Sequence, residues 1–235
     1  FSAFNQGLQA SGKTSFSSQL GVISTFPSSS KSNTYEWLSR DTRMREWIGP
    51  RMVNGVAERS YSIRNKKYEK TFGVREDELE DNELSTINYA AAIAEQIATS
   101  VLRLDDDLLL VLMQNGQTAL AYDGQFFFDT DHPVNLDDAA AGTMSNYEAA
   151  AFPLTQCSFS TARQRMMGYK GEDGRILGIK PNLLVVPPAL EDEAINILKA
   201  ASLASGAENI TQGMASYIVV PELAGQDTTW YLFDT

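Results

Sequence analysis

Asp129, Asp131 and His132 fall within four consecutive residues, and two carboxylates beside an imidazole are the makings of a divalent-metal site or an acid–base pair. The chain carries one histidine, so no second imidazole can complete such a site. The simpler reading is a turn between Phe128 and Pro133 whose Asp side chains bond nearby backbone N–H groups. Asp105-Asp106-Asp107 is the densest run of carboxylates, but consecutive residues on a helix point around it rather than converging. The stretch Gly7-Leu8-Gln9-Ala10-Ser11-Gly12-Lys13-Thr14 fits the phosphate-cradling pattern G-x-x-x-x-G-K-[ST]. That chemistry needs a buried strand before the loop and a helix after it, so that backbone N–H groups face the phosphates. Residues 1–6 do not form such a strand, 15–18 begin a helix poorly, and no later apolar strand ends in an Asp placed for Mg²⁺. The match is read as chance, with a P-loop nucleotide hydrolase as the remote alternative. No Gly-x-Ser-x-Gly elbow offers a nucleophile, and Cys157 has no partner for a disulfide or a Cys-cluster metal site. The residues therefore predict no catalytic, cofactor-binding or metal-ligating set, no cofactor, and no enzyme.

The elements around these residues describe an ordinary globular chain. It has 235 residues, 43% hydrophobic and 21% charged, enough for one or two domains with a real core. No apolar run approaches the ~20 residues that a bilayer span needs, which predicts no membrane partner. The first ten residues lack the charged start and apolar middle of a signal peptide. The net charge is −11, which argues against sequence-specific nucleic-acid binding, since backbone affinity comes mainly from Lys and Arg. The charge is uneven: residues 36–75 carry ten basic and five acidic side chains, and the remainder nine and twenty-five. A basic segment on an acidic body suits contact between copies of one chain; a solvated ribbon is the plainer reading.

Along the chain, residues 1–35 are Ser-rich and read as an extended arm rather than a core element. Residues 57–63 and 68–74 alternate with period two around Asn65-Lys66-Lys67, which predicts a β-hairpin. Neither face of it is apolar throughout, so it needs a partner surface. Residues 76–83 hold six carboxylates. Beyond them apolar residues from Ile87 to Leu112 recur at three- and four-residue spacing, predicting a long helix that Asp105-Asp106-Asp107 could break. A short helix is predicted over 160–167, capped by Ser158 or Ser160, then a strand over 183–186. An amphipathic helix follows over 190–203 with Gly206 as its stop, then strands over 217–220 and 230–233.

Ordered blocks of the sequence resemble the major head (capsid) subunits of Mu-like bacteriophages and prophages. They are Ser32-Asn33-Thr34-Tyr35-Glu36-Trp37-Leu38, Arg45-Glu46-Trp47-Ile48-Gly49, Tyr61-Ser62-Ile63 through Glu69, Val74-Arg75-Glu76-Asp77 and Glu80-Asp81. They continue with Tyr122-Asp123-Gly124-Gln125, Phe127-Phe128-Asp129, His132-Pro133-Val134 and Trp230-Tyr231-Leu232. The most specific block is Leu177-Gly178-Ile179-Lys180-Pro181-Asn182-Leu183-Leu184-Val185-Val186-Pro187-Pro188-Ala189-Leu190-Glu191.

The resemblance implies an α+β, tailed-phage capsid fold of the Hong Kong 97 type. Its expected parts are an N-terminal arm over 1–45, an E-loop hairpin over 46–80, a peripheral domain with its spine helix over 81–150, and an axial domain over 151–225. Residues 226–235 are expected to begin a return to the peripheral domain. The chain does not begin with Met, and such subunits are expected to continue past Thr235, so a truncated subunit is expected. The implied function is a structural head protein that self-assembles, as hexamers and pentamers, into an icosahedral shell enclosing phage DNA. An encapsulin-like protein nanocompartment is the alternative. Scaffold, portal and protease proteins are the implied assembly partners, the virion head the location, and the bacterial host cytoplasm the place of assembly. The proposed intersubunit contact sets Arg59, Arg64, Lys66, Lys67 and Lys70 of the hairpin against Glu76, Asp77, Glu78, Glu80 and Asp81 of a neighbour.

Overall fold

The computed structural model describes residues 16–21, 23–24, 26–39, 58–73, 89–148, 152–202 and 206–235. The chain divides into two compact units: residues 1–31 with 64–113, and residues 32–63 with 114–235.

The first unit contains helix α1, Phe16–Leu20, and most of helix α2, Tyr89–Asn115. Phe16 and Leu20 are buried, so this part of the predicted arm is packed rather than extended. The first turn of any helix has N–H groups without intrahelical partners. Here the Asp106 carboxylate accepts from the Phe16 and Ser17 N–H groups at 3.3 and 2.8 Å. Gly21, at φ +64°, then turns the chain out of the helix, a conformation that costs a residue without a Cβ little. α2 follows the predicted apolar period for 27 residues, about 40 Å at 1.5 Å per residue. It runs unbroken through Asp105-Asp106-Asp107, because those side chains point outward from a continuous backbone ladder and one of them serves α1. Ala98, Leu110 and Met113 are buried, while Val101, Leu108 and Val111 are exposed.

The second unit holds the strands. β1, Ser32–Leu38, pairs with β2, Glu58–Arg64. This corrects the predicted hairpin: β2 forms, but residues 65–73 are not a strand, and the partner of β2 comes from the predicted arm. Without an apolar face, 68–73 has nothing to fix a register, whereas β1 brings Tyr35 and Trp37 to stand beside Tyr61 and Ile63. Two short strands, β3 (His132–Pro133) and β4 (Thr143–Met144), pair antiparallel.

A three-stranded sheet has the order β6-β5-β7, with β5 at Leu183–Val186, β6 at Ser216–Val219 and β7 at Tyr231–Phe233. β5 runs parallel to β6 and antiparallel to β7. All four β5 residues are buried, as a central strand covered on both faces requires. Helices α3 (Gln156–Met167) and α4 (Glu191–Leu198) supply Phe159, Ala194, Ile197 and Leu198 to the core with Leu184 and Val186. Trp230 stacks on Phe152 at 6.0 Å between ring centres and donates its indole N–H to the Phe152 carbonyl at 3.0 Å.

Two helix ends differ from expectation. α3 is capped by Thr155, whose hydroxyl accepts from the Ser158 N–H while the Ser158 hydroxyl accepts from Thr155 N–H, a reciprocal box. α4 stops at Leu198 rather than at Gly206. The reason is Asn209, buried on the following loop, whose amide nitrogen donates to the carbonyls of Asn196, Ile197 and Ala200 at 3.1, 3.0 and 2.8 Å. Asn196 and Ile197 are last-turn acceptors and Ala200 lies just past the helix, and Asn209 takes the place of the backbone donors that a longer helix would have supplied to them.

Candidate intersubunit surface

The basic residues proposed for contact with a neighbour separate into two kinds. Arg59, on β2, is turned into the second unit. Its Nη2 donates to Asp137 Oδ2 at 2.8 Å, and its Nε lies 3.3 Å from Glu172 Oε1. Its side chain is only 12% exposed, against 64% for Asp137 and 26% for Glu172. This corrects the expectation that Arg59 stands with the outward-facing cations: two carboxylates of its own chain already hold it. Arg64, Lys66, Lys67 and Lys70 are exposed. Lys70 donates to the Ser100 hydroxyl at 2.5 Å and lies 5.2 Å from the centre of the Phe72 ring. Asn65 anchors the start of this segment, its backbone N–H donating to the Lys31 carbonyl at 3.0 Å and its side chain to Ser28 and Ser30. The acidic counterparts Glu76, Asp77, Glu78, Glu80 and Asp81 lie outside the described residues, as does the Gly7–Thr14 stretch.

Tyr35 and Trp37 of β1, Tyr61 and Ile63 of β2, and Tyr122 line an open apolar concavity of about 360 Å³. Trp37 meets Tyr122 edge to face at 5.5 Å between ring centres. Partial burial, then the negative charges of Asp123 and Glu172, raise the Tyr122 phenol above its ordinary pKa; Arg59 works against that rise. The sequence showed the signal for this surface without its meaning: Tyr35 and Trp37, and Tyr61 and Ile63, each stand two apart and so share a strand face.

The Asp–His stretch is structural. His132 Nδ1 lies 2.6 Å from Asp123 Oδ2, a pairing that sequence spacing did not reveal, and both side chains are nearly buried. Asp123 Oδ1 also accepts from the Gln125 N–H, closing the Tyr122–Gln125 turn. Asp129 accepts from the backbone N–H groups of Thr130 and Phe126 at 2.7 and 3.3 Å, as the turn reading expects. Those hydrogen bonds, the Thr130 one foremost, lower its pKa. Among the described residues no three His, Cys, Asp or Glu side chains converge on a metal position, and no helix is long and apolar enough to cross a membrane.

The chain as a whole is similar to several known proteins. A family model described as the Mu-like prophage major head subunit gpT matches residues 1–153 and 147–223. The major capsid protein of Escherichia phage Mu is 26% identical over 258 aligned residues, spanning 80% of this chain and 84% of that protein. The Mu-like prophage FluMu major head subunit of Haemophilus influenzae is 32% identical over 149 residues, spanning 59% of this chain and 47% of that one. The capsid of bacteriophage JBD30 decorated with minor capsid protein trimers superposes with a TM-score of 0.71 at 27% identity, over 88% of this chain and 90% of that one. The procapsid of JBD30 superposes with a TM-score of 0.68 at 26% identity, over 93% and 96%.

Proposed function

The chain belongs to the Mu-like prophage major head subunit family and is a structural, shell-forming protein of the virion head, and we propose that its shell is icosahedral, built of hexamers and pentamers, and encloses phage DNA. The observation that carries this reading is the family match across 1–153 and 147–223, joined to the capsid fold seen in the solved shells. The chain assembles with many copies of itself. Scaffold, portal and protease proteins are the further partners we assign to assembly, which takes place in the host cytoplasm, and the chain itself carries out no catalysis. A net charge of −11 supports this reading, because a container wall of the same sign as its DNA does not grip it.

The division into an arm (1–45), an E-loop hairpin (46–80), a peripheral domain with α2 as spine (81–150), an axial domain (151–225) and a final segment that begins the return to the peripheral domain (226–235) is part of the proposal. The packing of Leu184 and Val186 of β5 with Phe159 of α3 and Ala194, Ile197 and Leu198 of α4 supports an axial core, and β7 of the final segment joins that same sheet beside β5.

Self-association uses Arg64, Lys66, Lys67 and Lys70 against Glu76, Asp77, Glu78, Glu80 and Asp81 of a neighbouring copy. Each exposed pair contributes only ~0–1 kcal/mol, but a shell repeats the contact at every subunit. Electron microscopy and sedimentation of the expressed subunit test both levels. Shells from the unaltered chain are expected, and Lys66→Glu/Lys67→Glu/Lys70→Glu is expected to lower shell yield by roughly tenfold or more at low salt. Normal shells from the triple variant overturn the contact; failure of the unaltered chain to form shells with its assembly partners overturns the function.

A further inference from the structure

Among the described residues of the β2 region, Arg59 is the cation that the structure withdraws from the surface. β1 and β2 make a two-stranded ribbon, and such a ribbon is marginal by itself in water. Something must fix it on the rest of the second unit. Tyr35, Trp37, Tyr61 and Ile63 surround an open concavity and remain partly exposed, so apolar burial there is incomplete. A polar anchor accompanies it. The Arg59 guanidinium hydrogen-bonds Asp137 at 2.8 Å, and its buried Nε lies 3.3 Å from Glu172 as an ion pair outside hydrogen-bond geometry; the two carboxylates sit on loops 78 and 113 positions away in sequence. A planar guanidinium can face two carboxylates at once in a fixed geometry, which a lysine ammonium on a flexible stem cannot reproduce. The Arg59 side chain is only 12% exposed and Glu172 26%, while Asp137, 64% exposed, forms the solvent-facing end of the bridge.

We infer that Arg59, through Asp137 and Glu172, is a positioning residue for assembly: it holds the β1–β2 ribbon, the segment from which the chain continues toward the exposed cations, on the rest of the second unit. The inference rests on the shell-subunit reading and changes the role of one residue within it. Arg59 works inside the subunit, and its opposite charges are not a neighbour's.

The full subunit, expressed with its assembly partners, provides the test. Arg59→Glu is expected to speed amide exchange over residues 58–63 by roughly tenfold or more while leaving residues 183–186 protected, and to lower shell yield in parallel. The triple variant Arg59→Glu/Asp137→Arg/Glu172→Arg, which inverts the bridge within one chain, is expected to restore both. Should Arg59→Glu fail to fold, Arg59→Lys carries the same readouts with a smaller shift. Unchanged exchange over 58–63 overturns the inference, as does a faster exchange with normal shells, or an inverted bridge that restores neither. A failure here is separable from failure of the shell reading, because the unaltered chain still forms shells in every one of those outcomes.

Discussion

Asn209 shows how one side chain can decide where an element ends. Its Nδ2 shares two hydrogens among the carbonyls of Asn196, Ile197 and Ala200, and its Oδ1 accepts from Thr211 and Gln156. With donors on one side and acceptors on the other, the contacts fix the orientation of the amide. Removing it leaves buried carbonyls and the Thr211 groups without this partner, at about 1–3 kcal/mol for each group left unsatisfied. Asn209→Ala is therefore expected to lower stability by roughly 3 kcal/mol. Asn209→Asp, nearly the same shape, turns an acceptor toward three carbonyls and is expected to cost at least as much. Urea unfolding midpoints of the two variants check the order; an Asp variant as stable as the parent would remove the donor role. Nothing in the sequence marked this residue. Gly206 looked like the stop because glycine after an amphipathic run ends many helices, and it does adopt φ +81°, but downstream of a stop already imposed by a loop side chain. Residue-level features read well where they act locally, as in the Asp129 turn, and poorly where the partner is distant, as with His132 and Asp123.

At the scale of elements, the same division holds. α2 and β5 were legible because their patterns are strong and self-contained: an apolar period over 27 residues, or a short fully apolar run bounded by prolines. The ribbon was legible only in half. Period-two alternation identified β2, but the choice between residues 68–74 and β1 as its partner depends on which strand supplies aromatic neighbours, a tertiary fact. α1 was missed because five residues carry too little periodicity to read, and its start is completed by a carboxylate 89 positions away on α2. That link gives a prediction for the pair of elements. Asp106→Ala removes the acceptor facing the Phe16 and Ser17 N–H groups, and the loss of a helix-start acceptor costs about 1 kcal/mol. Amide exchange over residues 16–21 is expected to quicken by roughly fivefold while the sheet around β5 is unchanged. Equal exchange in variant and parent would show that Phe16 and Leu20 hold α1 by apolar burial alone.

For the whole molecule, the charge is −11 in total, with ten of its nineteen Lys and Arg residues between positions 36 and 75. What charge could not say is which cations are free to act between copies, and the placement of Arg59 answers that by geometry. The same molecule has an alkaline weakness that the charge sum also hides. Burial raises the phenols of Tyr169 and Tyr231 above their ordinary value of 10.0, with Arg165 partly offsetting the rise at Tyr169. The folded state thus prefers the protonated phenol, and the unfolded chain releases the proton first. Below pH 10 both states keep it and the stabilisation is complete; as pH rises through the unfolded and then the folded value, the unfolded state gains and stability falls. Ionising lysines add repulsion changes of their own over the same range, so the parent alone does not isolate the phenols. Tyr231→Phe, which keeps the ring beside Phe128 and Phe233, removes one phenol without touching the net charge at neutral pH. Thermal midpoints at pH 8 and pH 11 are expected to differ less in Tyr231→Phe than in the parent, with tyrosinate absorbance near 295 nm rising as the parent unfolds rather than before it. A variant whose midpoint falls as far as the parent's would show that Tyr231 ionises without leaving the sheet, and that the alkaline limit of the subunit lies elsewhere.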